Sequence, residues 1–361
     1  MQLFLVAAGF FFGAVIGSFL NVCIYRIPRG ISLIRPARSF CPNCKTSIPW
    51  HQNIPILSWF VLSGRCARCQ ALISLRYVIV ETLTALLFAT AAFLAPVPRL
   101  FPLWVILSIL VVITFIDLEF FIIPDVLSKG GIAAGLLLSL LTPRLHQTSS
   151  PFLAFVLSLT GALVGALILF LISEFGKLAF GRYKVILDVP TIFTFDVLPP
   201  DDWQILIEGE PFLWSEHFFR KSDRIIVHAK EVEINGTVYQ NIDLTFFHDR
   251  LKTIHETISL DKITHLSGHT AYARFPREAM GLGDVKLIAA IGAFVGWQGI
   301  LFTIGAASFL GATFGITAIA LGKRERSAII PFGPYLAMGA VIWLFWGDML
   351  VTLYKGSLLR W

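Results

Sequence analysis

The stretch Pro102-Leu-Trp-Val-Ile-Leu-Ser-Ile-Leu-Val-Val-Ile-Thr-Phe-Ile-Asp-Leu118 decides the fold class. Nothing before Asp117 in it is charged, and its length suits the hydrocarbon core of a bilayer, which takes about 17–25 predominantly apolar residues. Further runs of this kind lie near 2–24, 78–97, 121–141, 152–175, 284–297, 299–321 and 329–351. The expectation is an all-α polytopic membrane protein of about eight transmembrane helices, with the run at 284–297 the shortest. Composition agrees: 56% of the 361 residues are hydrophobic and 14% charged, which excludes an ordinary cytosolic enzyme. The first run starts Met-Gln without a basic segment and ends at Gly17-Ser18-Phe19-Leu20-Asn21 rather than at a cleavage site. It therefore reads as a retained helix.

Charge orients the chain. Residues 25–77 hold Arg26, Arg29, Arg35, Arg38, Lys45, Arg65, Arg68 and Arg76 and no acidic residue, and basic loops stay in the cytoplasm. The N-terminus is then outside, and helix counting puts 119–121, 176–283 and Gly322-Lys323-Arg324-Glu325-Arg326 inside. The net charge of +6 arises largely in the first loop. Topology and attraction to anionic membrane lipid explain it without nucleic acid.

Five segments follow: a first helix at 1–24, a basic cysteine loop at 25–77, a membrane bundle at 78–175, a polar insertion at 176–280, and a second bundle part at 281–361. The insertion holds fifteen of the twenty-three acidic residues and six of the eight histidines, so it must fold in water. Asn235-Gly236 between Glu231–Ile234 and Thr237–Gln240 is a type I′ hairpin signal, and alternation through Ile242, Leu244 and Phe246 extends the β pattern. The spacing of His217, His228, His248, His255, His265 and His269 matches no ligand set, so they read as scattered surface histidines.

Cys41-Pro-Asn-Cys44 and Cys66-Ala-Arg-Cys69 form two C-x-x-C pairs separated by twenty-one residues. This is zinc-ribbon spacing. Four thiolates close a tetrahedral site with no open position, so the Zn2+ is expected to be structural, tying together a loop poor in apolar residues. Redox pairs are the competing reading, disfavoured in a reducing compartment. Cys23 reads as a packing residue.

Outside the insertion eight acidic residues remain: Glu81, Asp117, Glu119, Asp125, Glu174, Asp284, Glu325 and Asp348. Each needs a reason, because a carboxylate in hydrocarbon is expensive. Glu174, Glu325 and Asp348 fall at expected helix ends. Asp117 closes an apolar run, and Asp284 lies in Gly281-Leu-Gly-Asp-Val-Lys286 just before another, both on the cytoplasmic side of the topology. If the two face each other, one keeps a proton while the other is charged, the acid/base pair that peptide hydrolysis by water needs. The plain alternative makes Asp284 a helix N-cap. Asp125, after Pro124, is expected to cap a helix or to favour its N-terminal dipole, with capping the preferred role. Glu119 points away from Asp117's face, and Glu81 either pairs with a basic residue or lines a site.

These residues resemble the type IV prepilin peptidase family, intramembrane aspartyl proteases with a GxGD motif whose bacterial members combine leader cleavage with N-methylation. The resemblance runs through Gly17–Val22, Tyr25-Arg26, Cys41–Cys44, Asn53–Pro55, Gly64–Cys69, Ile73–Tyr77, Glu81, Asp117, Ile123–Asp125, Gly281–Lys286 and Pro331–Pro334, leaving out only about 176–276. It implies that Asp117 and Asp284 are the catalytic dyad and that the four cysteines hold zinc. It further implies an aspartic endopeptidase of the bacterial inner membrane, acting at the cytoplasmic face on prepilins or pseudopilins, with S-adenosylmethionine as methyl donor. The insertion departs from the family pattern. Two rival readings use the same residues: a proton- or cation-coupled transporter, which wants its carboxylates near the midplane, and a zinc-stabilised scaffold.

Overall fold

The computed structural model describes residues 1–36, 38–180, 182–198, 202–214, 218, 223–276, 281–322 and 331–358. The chain divides into two units, Met1–Phe170 with Leu282–Trp361, and Leu171–Gly281.

The first unit is helical. Its elements are α1 (Gln2–Arg26), α2 (Leu57–Val61), α3 (Arg76–Leu94), α4 (Val97–Phe120), α5 (Asp125–Leu141), α6 (Pro151–Phe180), which runs on into the second unit, α7 (Leu282–Ala320) and α8 (Gly333–Leu358). Apolar surface does not drive helices together in lipid, so close backbone approach must. The sequence supplies it with small residues one turn apart. A Cβ added at Gly13 or Gly17 of α1 would come within 2.8 or 2.7 Å of α3 backbone, at Ala85 and Glu81. Among the described residues six helices are long and apolar enough to cross a membrane: α1, α3, α4, α6, α7 and α8.

Two expected runs end differently from the sequence reading. Phe121 is left-handed (φ 55°, ψ 31°) and Pro124 is extended, so α5 starts at Asp125 rather than 121 and has 17 residues. The runs at 284–297 and 299–321 meet at Gly296, whose φ of 71° and ψ of 178° break α7 there. That region is open essentially to glycine alone. The two halves run in opposite directions. Gly131 and Gly135 of α5 pack on Ala290 and Ala293 of the first half, which leads away from Ile123, whereas Gly299 packs on Trp343 and Gly311 on Tyr335, so the second half leads back.

The second unit is an eight-stranded sheet of order β3-β2-β1-β8-β4-β5-β6-β7, antiparallel at every pairing. The strands are β1 (Arg182–Leu198), β2 (Asp202–Ile207), β3 (Glu210–Leu213), β4 (Ile225–Ile234), β5 (Thr237–Phe246), β6 (Arg250–Lys252), β7 (Thr257–Ser259) and β8 (Leu266–Pro276). Asn235 and Gly236 both have positive φ (47° and 88°) and join β4 to β5 through the two-residue turn that the sequence signals. Ile242, Leu244 and Phe246 point into a core with Phe193, Val227 and Phe275, as their alternation requires.

Candidate functional site

The cysteine loop is built from two similar turns. Cys41 N–H donates to Thr46 O and Lys45 N–H to Cys41 O; twenty-five positions on, Cys66 N–H donates to Ala71 O and Gln70 N–H to Cys66 O. Lys45 and Gln70, each just past the second cysteine, both take positive φ (58° and 59°). These matching turns aim four sulfurs at one point, all within 4.8 Å of one another, and Cys41 Sγ is 3.8 Å from Cys69 Sγ. A zinc–sulfur bond of about 2.3 Å in tetrahedral geometry puts sulfurs about 3.8 Å apart, so the donor set fits a closed metal site. The Thr46 hydroxyl on Cys44 holds that thiol down to about 6, while burial pushes Cys41 up to about 11. Among the described residues no histidine joins a metal-type group. His228 instead takes Asp243 at 2.7 Å, His255 stacks on Tyr239, and His217 lies outside the described residues.

Asp117 sits in the last turn of α4, 5% exposed. Its Oδ2 accepts the backbone N–H of Gly333 at 3.0 Å. That donor is available because the first N–H groups of a helix have no partner within it, and Gly333 is the first residue of α8. Pro331-Phe-Gly-Pro334 carries no acid, base or metal ligand to mark it in the sequence; the contact spans 216 positions and leaves no local signal. A Cβ on Gly333 would meet Asp117 Oδ2 at 2.7 Å, so the carboxylate and the turn are packed as close as glycine allows.

Asp284 is the third residue of α7, inside the first turn rather than at a cap. The residue before it, Gly283, faces Ile123, with an added Cβ 3.0 Å from Ile123 Cβ, and Ile123 Cδ1 also lies beside Gly333. Ile123 thus joins the Gly283-Asp284 turn to the Gly333 turn that holds Asp117. Asp284 lies in the first turn of α7, where the backbone dipole favours negative charge, whereas Asp117 sits at the C-terminal end of its own helix and has, among the described residues, only the first amide of α8 as donor.

The remaining carboxylates part from these two. Asp125 does not cap α5: Pro124 is the N-cap residue and no side chain caps it. Asp125 is itself already helical, past the position from which a carboxylate reaches back to the N2 or N3 amides. It instead takes Lys286 Nζ at 2.5 Å and Lys129 Nζ at 2.7 Å, tying α5 to the start of α7. Glu119 pairs with Arg29 and Arg76, on the side of α4 away from Asp117's partner. Glu81 accepts the Ile56 N–H at 2.6 Å. Asp348 meets Arg99 and Gln147.

Residues 11–95 match the family model described as the bacterial peptidase A24 N-terminal domain, and residues 104–200 and 263–316 match the type IV leader peptidase family. The chain is 31% identical over 375 residues to a prepilin leader peptidase/N-methyltransferase of Aeromonas hydrophila, covering 97% of this chain and 93% of that protein. It is 30% identical over 381 residues to the protein of that name from Aeromonas salmonicida (97% and 94% covered), and 26% over 376 residues to the one from Legionella pneumophila (96% and 92%). No solved structure matches the chain.

Proposed function

The chain belongs to the type IV leader peptidase family, and from that membership we infer that it is a multi-pass membrane enzyme of the prepilin leader peptidase/N-methyltransferase kind. Its substrates are prepilins or pseudopilins. Transport through the same carboxylates, or a passive scaffold role, finds no support in the relatives.

Within that frame Asp117 and Asp284 are the catalytic pair. The observation that carries this is the buried Asp117 carboxylate held by Gly333 N–H, in a neighbourhood shared through Ile123 with the Gly283-Asp284 turn. Two carboxylates at one site do not both ionise readily. The charged one takes a proton from water, and the protonated one donates a hydrogen bond to the scissile carbonyl. Gly333 N–H keeps one oxygen of Asp117 fixed, leaving the other for this chemistry. Zinc in the four-cysteine site closes the loop and, lacking an open position, takes no part in hydrolysis. For the methylation that the relatives' names imply, S-adenosylmethionine would be the source of the methyl group for the new N-terminus.

The eight apolar runs correspond to eight crossings when the 17-residue α5 is counted with the six longer helices and the two halves of α7 count separately. With the basic loop inside, the N-terminus is outside and both aspartates lie at the cytoplasmic face. The test is cleavage of a synthetic prepilin by purified protein in detergent. Asp117→Asn and Asp284→Asn are each expected to abolish it in a folded protein, since an amide keeps the shape but exchanges no proton. Cutting by either variant at near the parent rate would refute the pair.

A further inference from the structure

The spacer between the two C-x-x-C turns carries four large apolar side chains that the described residues leave uncovered: Trp50, Leu57, Phe60 and Val61, each 60–81% exposed. The last three stand at i, i+3 and i+4 of α2, so they form one helix face. The rest of α2 is fixed to its loop. Trp59 Nε1 donates to the Ile73 carbonyl at 3.1 Å, and Ser58 Oγ accepts the Ile54 N–H at 2.8 Å. A contiguous exposed apolar face of this kind marks a contact, and its depth says with what. Ile56, the residue before α2, takes a φ of 64°, rare for a β-branched residue, and its N–H donates to Glu81 Oε2 at 2.6 Å. Glu81 lies five residues, about 7.5 Å, into α3, a helix long and apolar enough to cross a membrane. Ile79 and Leu83, on either side of Glu81 along that helix, are themselves 49% and 37% exposed. α2 therefore starts alongside the first turns of a spanning helix rather than above its end. The surrounding charge points the same way: Arg35, Arg38, Lys45, Arg65 and Arg68 have no acidic partner among the described residues, and the loop 25–77 contains no acidic residue to give them one.

We propose that α2 and Trp50 are a membrane anchor: they enter the lipid leaflet beside the start of α3, with Phe60 and Val61 among the acyl chains, Trp50 at headgroup level, and the five unpaired cations on anionic phospholipid. Tryptophan favours headgroup depth because its ring is apolar and its N–H polar. Amphipathic segments that lie in the interface bury their apolar face by about 5–10 Å, and the step of about 7.5 Å from the first residue of α3 to Glu81 falls in that range. Each cation near an anionic surface adds about 1 kcal/mol of attraction. The anchor depends on α3 spanning a bilayer and not on the catalytic assignment. Because the two C-x-x-C turns flank this segment, seating it in lipid fixes the cysteine loop at the membrane surface.

The test is photo-cross-linking in the full chain. p-Benzoylphenylalanine replaces Phe60 or Val61 in protein reconstituted into nanodiscs of phosphatidylglycerol and phosphatidylcholine in equal amounts, and mass spectrometry reads the adducts after irradiation. Leu86, exposed in the middle of α3, is the lipid-facing reference, and Val238, exposed on β5, is the water-facing one. Lipid adducts at 60 and 61 are expected within about threefold of the yield at Leu86 and about tenfold or more above that at Val238, with phosphatidylglycerol taken about twofold or more over phosphatidylcholine. Yields at both positions no higher than at Val238 would overturn the anchor, and absence of adducts at Leu86 too would refute α3 as a span and the anchor with it. Lipid adducts that give way to peptide adducts when a synthetic prepilin is added would make the face a substrate dock instead. Equal labelling of the two lipids would overturn the match to anionic headgroups. Amide exchange of the parent chain needs no variant to fold: residues 57–62 should exchange about threefold or more slowly in phosphatidylglycerol nanodiscs than in phosphatidylcholine ones, and equal rates would count against the same match.

Discussion

Replacing Gly333 by alanine tests the reasoning at its narrowest point, because it leaves every acidic group in place. The added Cβ would sit 2.7 Å from Asp117 Oδ2. Ordinary contact begins near 3.4 Å, so the carboxylate or the turn must retreat by roughly 0.7 Å. Gly333 is not among the glycines with positive φ, so the effect is steric rather than a strained backbone. The retreat lengthens the 3.0 Å hydrogen bond to a buried carboxylate, and misplacing a catalytic group by about 1 Å costs on the order of a hundredfold. The expected loss in kcat/KM is about ten- to a hundredfold, or about 1.4–2.7 kcal/mol of transition-state stabilisation. The assay is the initial rate on a synthetic prepilin followed by mass spectrometry, with circular dichroism to check folding. Gly305→Ala, whose Cβ meets nothing within 4 Å, is the control and should cut at the parent rate. A folded Gly333→Ala enzyme that cuts as fast as that control would refute the claim that this turn positions Asp117.

Metal analysis of reduced protein should find one zinc per chain, lost in Cys44→Ser or Cys66→Ser; stripping it should speed amide exchange across 41–69, and slow exchange without metal would argue against a structural site. Asn235→Ala should destabilise the β unit by about 2–3 kcal/mol, because its side chain bonds Thr264, His265 and Lys262 at about 0.5–1.5 kcal/mol per bond, and its left-handed backbone disfavours alanine. Unchanged exchange protection of 225–246 in the full chain would disprove that estimate. Replacing 184–270 by a short flexible linker should preserve cleavage of a generic prepilin peptide and alter competition between full-length substrates; loss of peptide cleavage in a folded variant would put the insertion in the catalytic core, and an unchanged ratio would make it a tolerated loop.

The sequence by itself determined what depends on neighbours along the chain. Apolar run length signals membrane helices because one helix satisfies its own backbone in lipid. Paired C-x-x-C spacing signalled four sulfurs on one ion because each tight turn is local. Asn235-Gly236 signalled a hairpin for the same reason, and the fold has that hairpin, the four converging sulfurs and, among the described residues, six helices long and apolar enough to span a membrane. What required tertiary structure were contacts between distant segments. The Asp117 carboxylate meets an amide 216 positions away, and Asp125, which by local pattern should cap a helix, reaches 161 positions to Lys286. Local pattern marks where a carboxylate can cap but not the cation that another helix brings to it. The break in α7 shows both levels at once: the sequence divides the run near 297–299, but only packing against α5 and α8 decides that the chain turns back at Gly296. Phe60 and Val61 carry no local sign of which side they show. Their exposure alongside α3 exists because Ile56 is tied to Glu81, and that tie is a property of the packed chain.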